Sequence, residues 1–226
     1  MVTQSADVMD RGDCRGEAQW QRSQASNDWG RVDASVRSVE LACGVGWGTQ
    51  VALSGTWGKW SSPQFLILPS RADGRSLSSK TRLWQSETGA GALALTVVLG
   101  EERRDDLQTG MGAPVTQRNR ALGLAYSQTL GERHRVHANL MSDVVGFGSS
   151  EKAEAWGLAY EFAATPTVSL LAETHGKQHI KPTQALGLRW TPTANWELGA
   201  MAARPRGENG NGAKSHEVKL STAYRF

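Results

Sequence analysis

The sequence predicts an all-β chain: a closed, antiparallel, up-and-down transmembrane β-barrel of about twelve strands. Three observations carry this. Apolar residues recur at every second position in segments of about ten residues, the length a tilted strand needs to cross a bilayer. The connections between these segments alternate between short and long, and aromatic residues gather at the segment ends. Composition is compatible with this: 226 residues suit one domain or at most two small ones. A mean hydropathy of −0.44, with no apolar run near the roughly 18 residues of a spanning helix, excludes a helical membrane protein. The 25 basic and 22 acidic residues are well mixed, so the net charge of +3 points to no polyanionic partner and no nucleic acid.

In chain order, residues 1–13 (MVTQSADVMDRGD) lack the basic start and apolar core of a secretory signal. They stand apart from the barrel, which is assigned to residues 14–226 and opens with the segment 14–23. Val39, Leu41, Cys43 and Val45 then alternate with Ser38, Glu40 and Ala42. Val51, Leu53, Gly55 and Trp57 alternate with Gln50, Ala52, Ser54 and Thr56. Segments 75–84 (the weakest), 91–100 and 118–128 follow. Next come Val136, Ala138 and Leu140 against His137, Asn139 and Met141, then Trp156, Leu158, Tyr160 and Phe162 against Gly157, Ala159 and Glu161. Segment 167–175 precedes Leu186, Leu188 and Trp190, and then Trp196, Leu198, Ala200 and Ala202. The last strand is the clearest: Val218, Leu220, Thr222, Tyr224 and Phe226 fall on one face, and Glu217, Lys219, Ser221, Ala223 and Arg225 on the other.

Five connections are short: Gly44–Gly48, Gln85–Ala90, Thr129–Arg133, Ala164–Pro166 and Thr191–Ala194. The intervening ones, 24–33, 58–74, 101–117, 144–153, 176–181 and 205–214, are mostly longer and rich in Gly, Ser, Asn and charge. A soluble sandwich has no reason to sort its loops by parity, whereas a membrane barrel does. Segment 58–74 is long enough to hide another hairpin, which leaves the strand count open by two. Trp47, Tyr160, Phe162, Trp190, Trp196, Tyr224 and Phe226 lie near the short-turn ends, and Trp20, Trp57, Trp60 and Trp156 near the others. Such rings favour the boundary between headgroup and acyl chain.

Cys14 and Cys43 suit one disulfide, with two buried free thiols as the alternative; no CxxC or metal-ligand cluster surrounds them. They lie about equally far from a turn at Asn27-Asp28-Trp29-Gly30, so a cross-strand bridge is feasible. The polar faces define a lumen lined by Arg15, Glu17, Glu40, Lys80, Arg82, His137, Asp143, Glu161, Glu173, His175, Arg189, Glu197, Glu217, Lys219 and Arg225, with Gln19, Gln50 and Asn139. Both signs are present, consistent with a mixed-charge passage or with salt bridges that partly close it. Inward small residues such as Gly123, Ala125, Gly157 and Ala159 would leave space, or merely relieve crowding in a curved wall. An open and a filled lumen both fit.

The final strand, with Val218, Leu220 and Tyr224 on one face and the aromatic Phe226 at its end, resembles the C-terminal strand of bacterial outer-membrane β-barrel proteins. That resemblance implies a location in the cell outer membrane and contact with its lipid and lipopolysaccharide. It also implies recognition of Val218, Leu220, Tyr224 and Phe226 by the barrel-assembly machinery. Residues 1–13 then become an N-terminal periplasmic segment, and any export signal has been removed or left out of the chain. The function expected is porin-like: a passive channel for small polar solutes, with no cofactor, metal or catalytic residues. The alternative is a sealed structural or adhesive barrel acting through its long outer loops. A lipid hydrolase is the remote third reading, because no G-x-S-x-G or H-E-x-x-H occurs and Ser142 has the opposite parity to His137.

Three smaller features complete the reading. Gly44-Val45-Gly46-Trp47-Gly48 is a tight turn, not a phosphate loop, and Glu101–Asp106 is a solvated charge block. Gln64-Phe65-Leu66-Ile67-Leu68-Pro69 is an apolar patch within a loop, able to plug the mouth, extend a strand or touch lipid.

Overall fold

Period-two alternation becomes, in the computed structural model, twelve strands: β1 (Cys14–Asn27), β2 (Gly30–Gly46), β3 (Thr49–Ser62), β4 (Ile67–Gln85), β5 (Gly91–Asp105), β6 (Val115–Leu130), β7 (His134–Gly146), β8 (Lys152–Ala163), β9 (Val168–Lys177), β10 (Thr183–Trp190), β11 (Trp196–Pro205) and β12 (Lys214–Arg225). The structure describes residues 3–27, 30–62, 67–105, 114–146, 152–177, 181–205 and 214–226. Each strand pairs antiparallel with its sequence neighbours, and β1 closes on β12 from Arg15↔Arg225 to Ser26↔Lys214. Closure leaves no unpaired edge, which a sheet in hydrocarbon requires.

Burial is inverted relative to a water-soluble protein. Leu140 and Leu186 on the outer face are 65% and 70% exposed, while Ala94 and Ala185 on the inner face are 0% and 4% exposed. A wall of Leu, Val and Trp facing outward is stable only where hydrocarbon covers it. Aromatic contacts mark the short-turn rim: Trp196 packs edge-on to Tyr224, Tyr224 stacks on Phe226, and His134 lies between Tyr160 and Phe162.

The long connections are shorter than the sequence suggests. Much of 58–74 belongs to β3 and β4, and 101–105 and 115–117 belong to β5 and β6. Arg71, Asp73, Arg75, Glu101, Glu102, Arg103 and Arg104 are laid out in β-register there. Above the bilayer both faces meet water, so the strand keeps its hydrogen bonds but loses the apolar period that would announce it. Strand length therefore varies around the barrel: β2 has 17 residues and β4 has 19, whereas β9, β10 and β11 have 10, 8 and 10. Strands of about 9–11 residues just cross a membrane, so the β2–β6 wall stands above it and the β9–β11 wall does not. Of the apolar patch, Gln64, Phe65 and Leu66 lie outside the described residues, as do Asp28 and Trp29; Ile67 opens β4.

Cys14 and Cys43 are direct register partners, joined by a disulfide with a Cα–Cα distance of 4.1 Å. Trp47 and Gly48 make the tight turn between β2 and β3, both with positive φ (50° and 64°). Trp47 is 97% exposed there, at the short-turn rim.

Candidate functional site: the lumen and the segment that crosses it

Directly paired residues in an antiparallel ladder point to the same side, so the register traces the inner face around the ring. Arg15 faces Arg225 and Ala42, Glu17 faces Glu40, Lys80 faces Gln50 and Thr96, and Arg82 faces Ala94. Ser127 faces His137, which faces Ala159; Glu173 lies between Ala159 and Ala185, and His175 between Gly157 and Thr183. Glu161 faces Arg135 and Leu171, Arg189 faces Gly199, and Glu197 faces Ala223. Glu217 faces Ser23 and Ala203, and Lys219 faces Gln21 and Met201. The backbone of Asp143 is opposite Ala121 and Ala153; its side chain lies outside the described residues.

Many inner charges are linked by contact. Arg15 Nη2 reaches Glu17 Oε2 at 3.1 Å and Glu197 Oε1 at 3.0 Å. Arg189 grips both oxygens of Glu161 at 2.8 and 3.0 Å and lies 3.7 Å from Glu197. His137 Nε2 is 3.8 Å from Glu161, and His175 Nδ1 is 3.4 Å from Glu173. A chain of opposite charges thus runs along the wall from β1 through β11 and β10 to β8. In a part-dry lumen such alternation offsets desolvation that single charges could not bear.

Residues 3–13 are not separate from the barrel. They enter beside β2, where Arg11 makes a parallel bridge to Gly44 and Gly12 donates to the Gly44 carbonyl at 3.0 Å. From there the strap crosses the lumen to β9. The Met9 amide donates to Gln50 Oε1 at 3.1 Å, and the Ala6 amide to Ser127 Oγ at 2.8 Å. Lys80 Nζ donates to the Ser5 carbonyl at 3.2 Å and Asn139 Nδ2 to the Gln4 carbonyl at 3.0 Å. Arg135 pairs with Asp7. At the far wall, Glu173 Oε1 accepts from the Thr3 amide at 2.7 Å and from the Thr3 hydroxyl at 2.9 Å. Ala6, fully buried, sits in a small apolar cluster with Ala92, Ala94 and Ala125, flanked by Val8. Burial pushes the Asp7 carboxyl up, but hydrogen bonds from Arg135 and Ser5 and the charges of Arg135 and Lys80 outweigh it and hold it below its ordinary value.

Two glycines make room for this strap. A Cβ on Gly44 would sit 2.0 Å from the Asp10 carbonyl oxygen, and one on Gly157 would sit 2.5 Å from Thr3 Oγ1. Gly157 and Ala125 are among the small inner residues whose removed volume the sequence leaves unassigned, and at these two positions the strap fills it. The sequence gives no sign of the strap, because residues 1–13 carry neither a period of two nor one of 3.6.

Sequence reasoning also passes over Ser127. Its Oγ lies 2.7 Å from His137 Nδ1, the spacing of a nucleophile and its base. The same oxygen accepts the Ala6 amide, and Ser127 is only 1% exposed beneath the strap. In this structure the pair therefore serves to hold main chain. A depression of about 1040 Å³ runs along β7–β12. Most of its lining, such as Leu158, Leu186, Ala202 and Val218, belongs to the outer face, so it is a groove toward lipid and not part of the lumen.

A closed ring of twelve antiparallel strands, apolar without and polar within, defines a transmembrane β-barrel of the outer-membrane kind. No family model matches the chain, and no curated protein matches it. Among solved structures it is similar to an outer membrane channel from Pseudomonas putida F1, with a TM-score of 0.80 at 17% identity, each chain covered completely (100%). It is also similar to the translocator domain of the autotransporter NalP from Neisseria meningitidis (TM-score 0.63, 16% identity, 94% of this chain and 88% of that one). A third is the KdgM porin in complex with disordered oligogalacturonate (TM-score 0.63, 8% identity, 93% and 99%). At these identities the likeness is one of fold.

Proposed function

We propose that the chain is a passive channel of the outer membrane for small polar solutes, with the strap of residues 3–12 as its constriction. The observation that carries this is the inner face itself: charged and amide side chains line it, and the strap crossing it is fastened by separate polar contacts and not by a continuous sheet ladder. Wall-to-wall apolar packing would argue for a permanently filled barrel; among the described residues the buried apolar clusters are small, one of Ala6 and Val8 with three wall alanines and one of Ala185, Met201 and Ala203 within the wall. The likeness to channels and porins supports the same reading. The final strand, with Val218, Leu220, Tyr224 and Phe226 turned outward, suits recognition by the barrel-assembly machinery, and the polar wall of β2–β6 suits contact with lipopolysaccharide.

The test is flux. Reconstituted into liposomes, the protein should admit small sugars and ions at a rate proportional to protein content, and planar bilayers should show discrete current steps. Inserted, protease-resistant barrels that pass neither would overturn the channel. The second reading, a sealed barrel acting through its outer rim, is favoured by one observation, the strap across the lumen. It predicts the same silence even after the strap is dislodged.

A further inference from the structure

The contacts that hold the strap have a chemical bias. The wall addresses main-chain groups: the amides of Thr3, Ala6 and Met9 and the carbonyls of Gln4 and Ser5. Their partners come from five strands, namely Gln50 on β3, Lys80 on β4, Ser127 on β6, Asn139 on β7 and Glu173 on β9. Among the described residues, the wall also bonds the side chains of Thr3 and Asp7, and Ala6 and Val8 pack on three wall alanines. Among the described residues, no main-chain hydrogen bond links one of residues 3–9 to another, so donors and acceptors of the strap are turned outward to the barrel. Arg11 even pairs with Gly44 as a one-residue parallel strand. Recognition through amides and carbonyls is indifferent to side-chain identity, as when an extended peptide adds to a sheet.

We propose that the lumen is a binding cleft for an extended peptide, with residues 3–9 as its resident occupant, so that the solutes this channel takes are short oligopeptides. The idea rests on the channel reading and narrows its substrate class. In strap order the wall offers an acceptor (Glu173), two donors (Asn139 and Lys80) and two acceptors (Ser127 and Gln50), each placed against a main-chain amide or carbonyl. Sugars offer hydroxyls in place of this fixed order of amide donors and carbonyl acceptors. The strap competes at high effective concentration, of the order of millimolar, so only a peptide that displaces it, or a strap already loosened, leaves the cleft free.

The experiment uses the full chain with Thr3→Pro and Ala6→Pro, which removes two strap amides and leaves every barrel strand untouched. The probes are a synthetic peptide of residues 3–12 (TQSADVMDRG), a scrambled version, the parent N-methylated at the Thr3, Ala6 and Met9 positions, and an uncharged oligosaccharide of similar length. Binding is read by calorimetry in detergent and separately as block of ion current. The parent and the scrambled peptide should bind the variant within about tenfold of each other, and N-methylation should weaken binding by about tenfold or more. The wild-type protein should bind the parent at least about tenfold more weakly than the variant does. No peptide binding, equal binding of the N-methylated peptide, or preference for the oligosaccharide would overturn the peptide site. Ion current without peptide binding removes this inference and keeps the channel; peptide binding in a barrel that passes no ions keeps the peptide cleft but overturns the channel and, with it, oligopeptides as its solutes.

Discussion

The lumen is narrowed in two different ways on its two sides. On the arc from β3 to β9, the wall is covered by a piece of chain held through main-chain hydrogen bonds to Gln50, Lys80, Ser127, Asn139 and Glu173. On the arc from β10 through β12 to β1, the filling among the described residues is side chain: Arg189, Glu197 and Arg15 form a line of ion pairs that reaches on to Glu161 of β8. The first filling can leave as a unit, because residues 3–10 belong to no strand. The second cannot, because each group is anchored to the sheet. The removable side should therefore set how much passes, and the fixed side which charge passes.

The largest effect expected is from Thr3→Pro with Ala6→Pro. Single-channel conductance should rise at least about twofold as the constriction leaves, while the detergent melting profile of the barrel stays as in the wild type. Gly44→Ala attacks the same arc at its root. The added Cβ, 2.0 Å from the Asp10 carbonyl oxygen, forces the strap off its bridge at a cost of about 1–3 kcal/mol, and conductance should rise with it. An unchanged conductance in both variants would erase the distinction between the arcs.

On the fixed arc, Arg189→Ala leaves Glu161 and Glu197 with less positive charge beside them. Reversal potentials in a salt gradient should move toward cation selectivity by roughly 5–15 mV, with conductance little altered. A conductance change as large as that of the strap variants would show that this arc also gates.

Acid should loosen the strap. The Asp7 carboxyl is held below its ordinary value by Arg135 and Lys80, so its contribution to docking is fully present above that ordinary value, near pH 4. The contribution is lost as pH falls through the depressed one. Conductance should therefore climb on acidification below about pH 4, and Asp7→Asn should raise it at neutral pH and flatten that acid limb. The smallest effect on current is expected from reducing Cys14–Cys43. These residues stay register partners without the bond, and the cost is one of stability, about 3–4 kcal/mol for a crosslink between residues 29 apart.

Much of the fold was legible in the sequence because a bilayer enforces it. Leu53, Leu140 and Leu186 must face lipid, so every second residue is apolar, and the period survives without any alignment. The disulfide followed from the position of Cys14 and Cys43 relative to one hairpin tip. The tall ends of β3 to β6 were not legible, since water on both faces removes the pattern while the hydrogen bonds persist. In the lumen, parity assigns a residue to a face but says nothing of what it touches. Glu173 and Ser127 hold a segment more than a hundred residues away in sequence, with separations of 170 and 121. A strap recognised through its backbone leaves no side-chain signature to read.

The central claim, that residues 3–12 gate the lumen, is tested most directly by locking them in place. Thr3→Cys with Gly157→Cys, in a background of Cys14→Ser and Cys43→Ser, puts a removable bond between the strap and β8, because a Cβ on Gly157 lies 3.4 Å from the Cβ of Thr3, close to the separation a disulfide spans. Planar-bilayer current is then followed on one population before and after reductant. The account predicts low conductance with the bond closed and an increase on reduction. Equal conductance in the two states would contradict it.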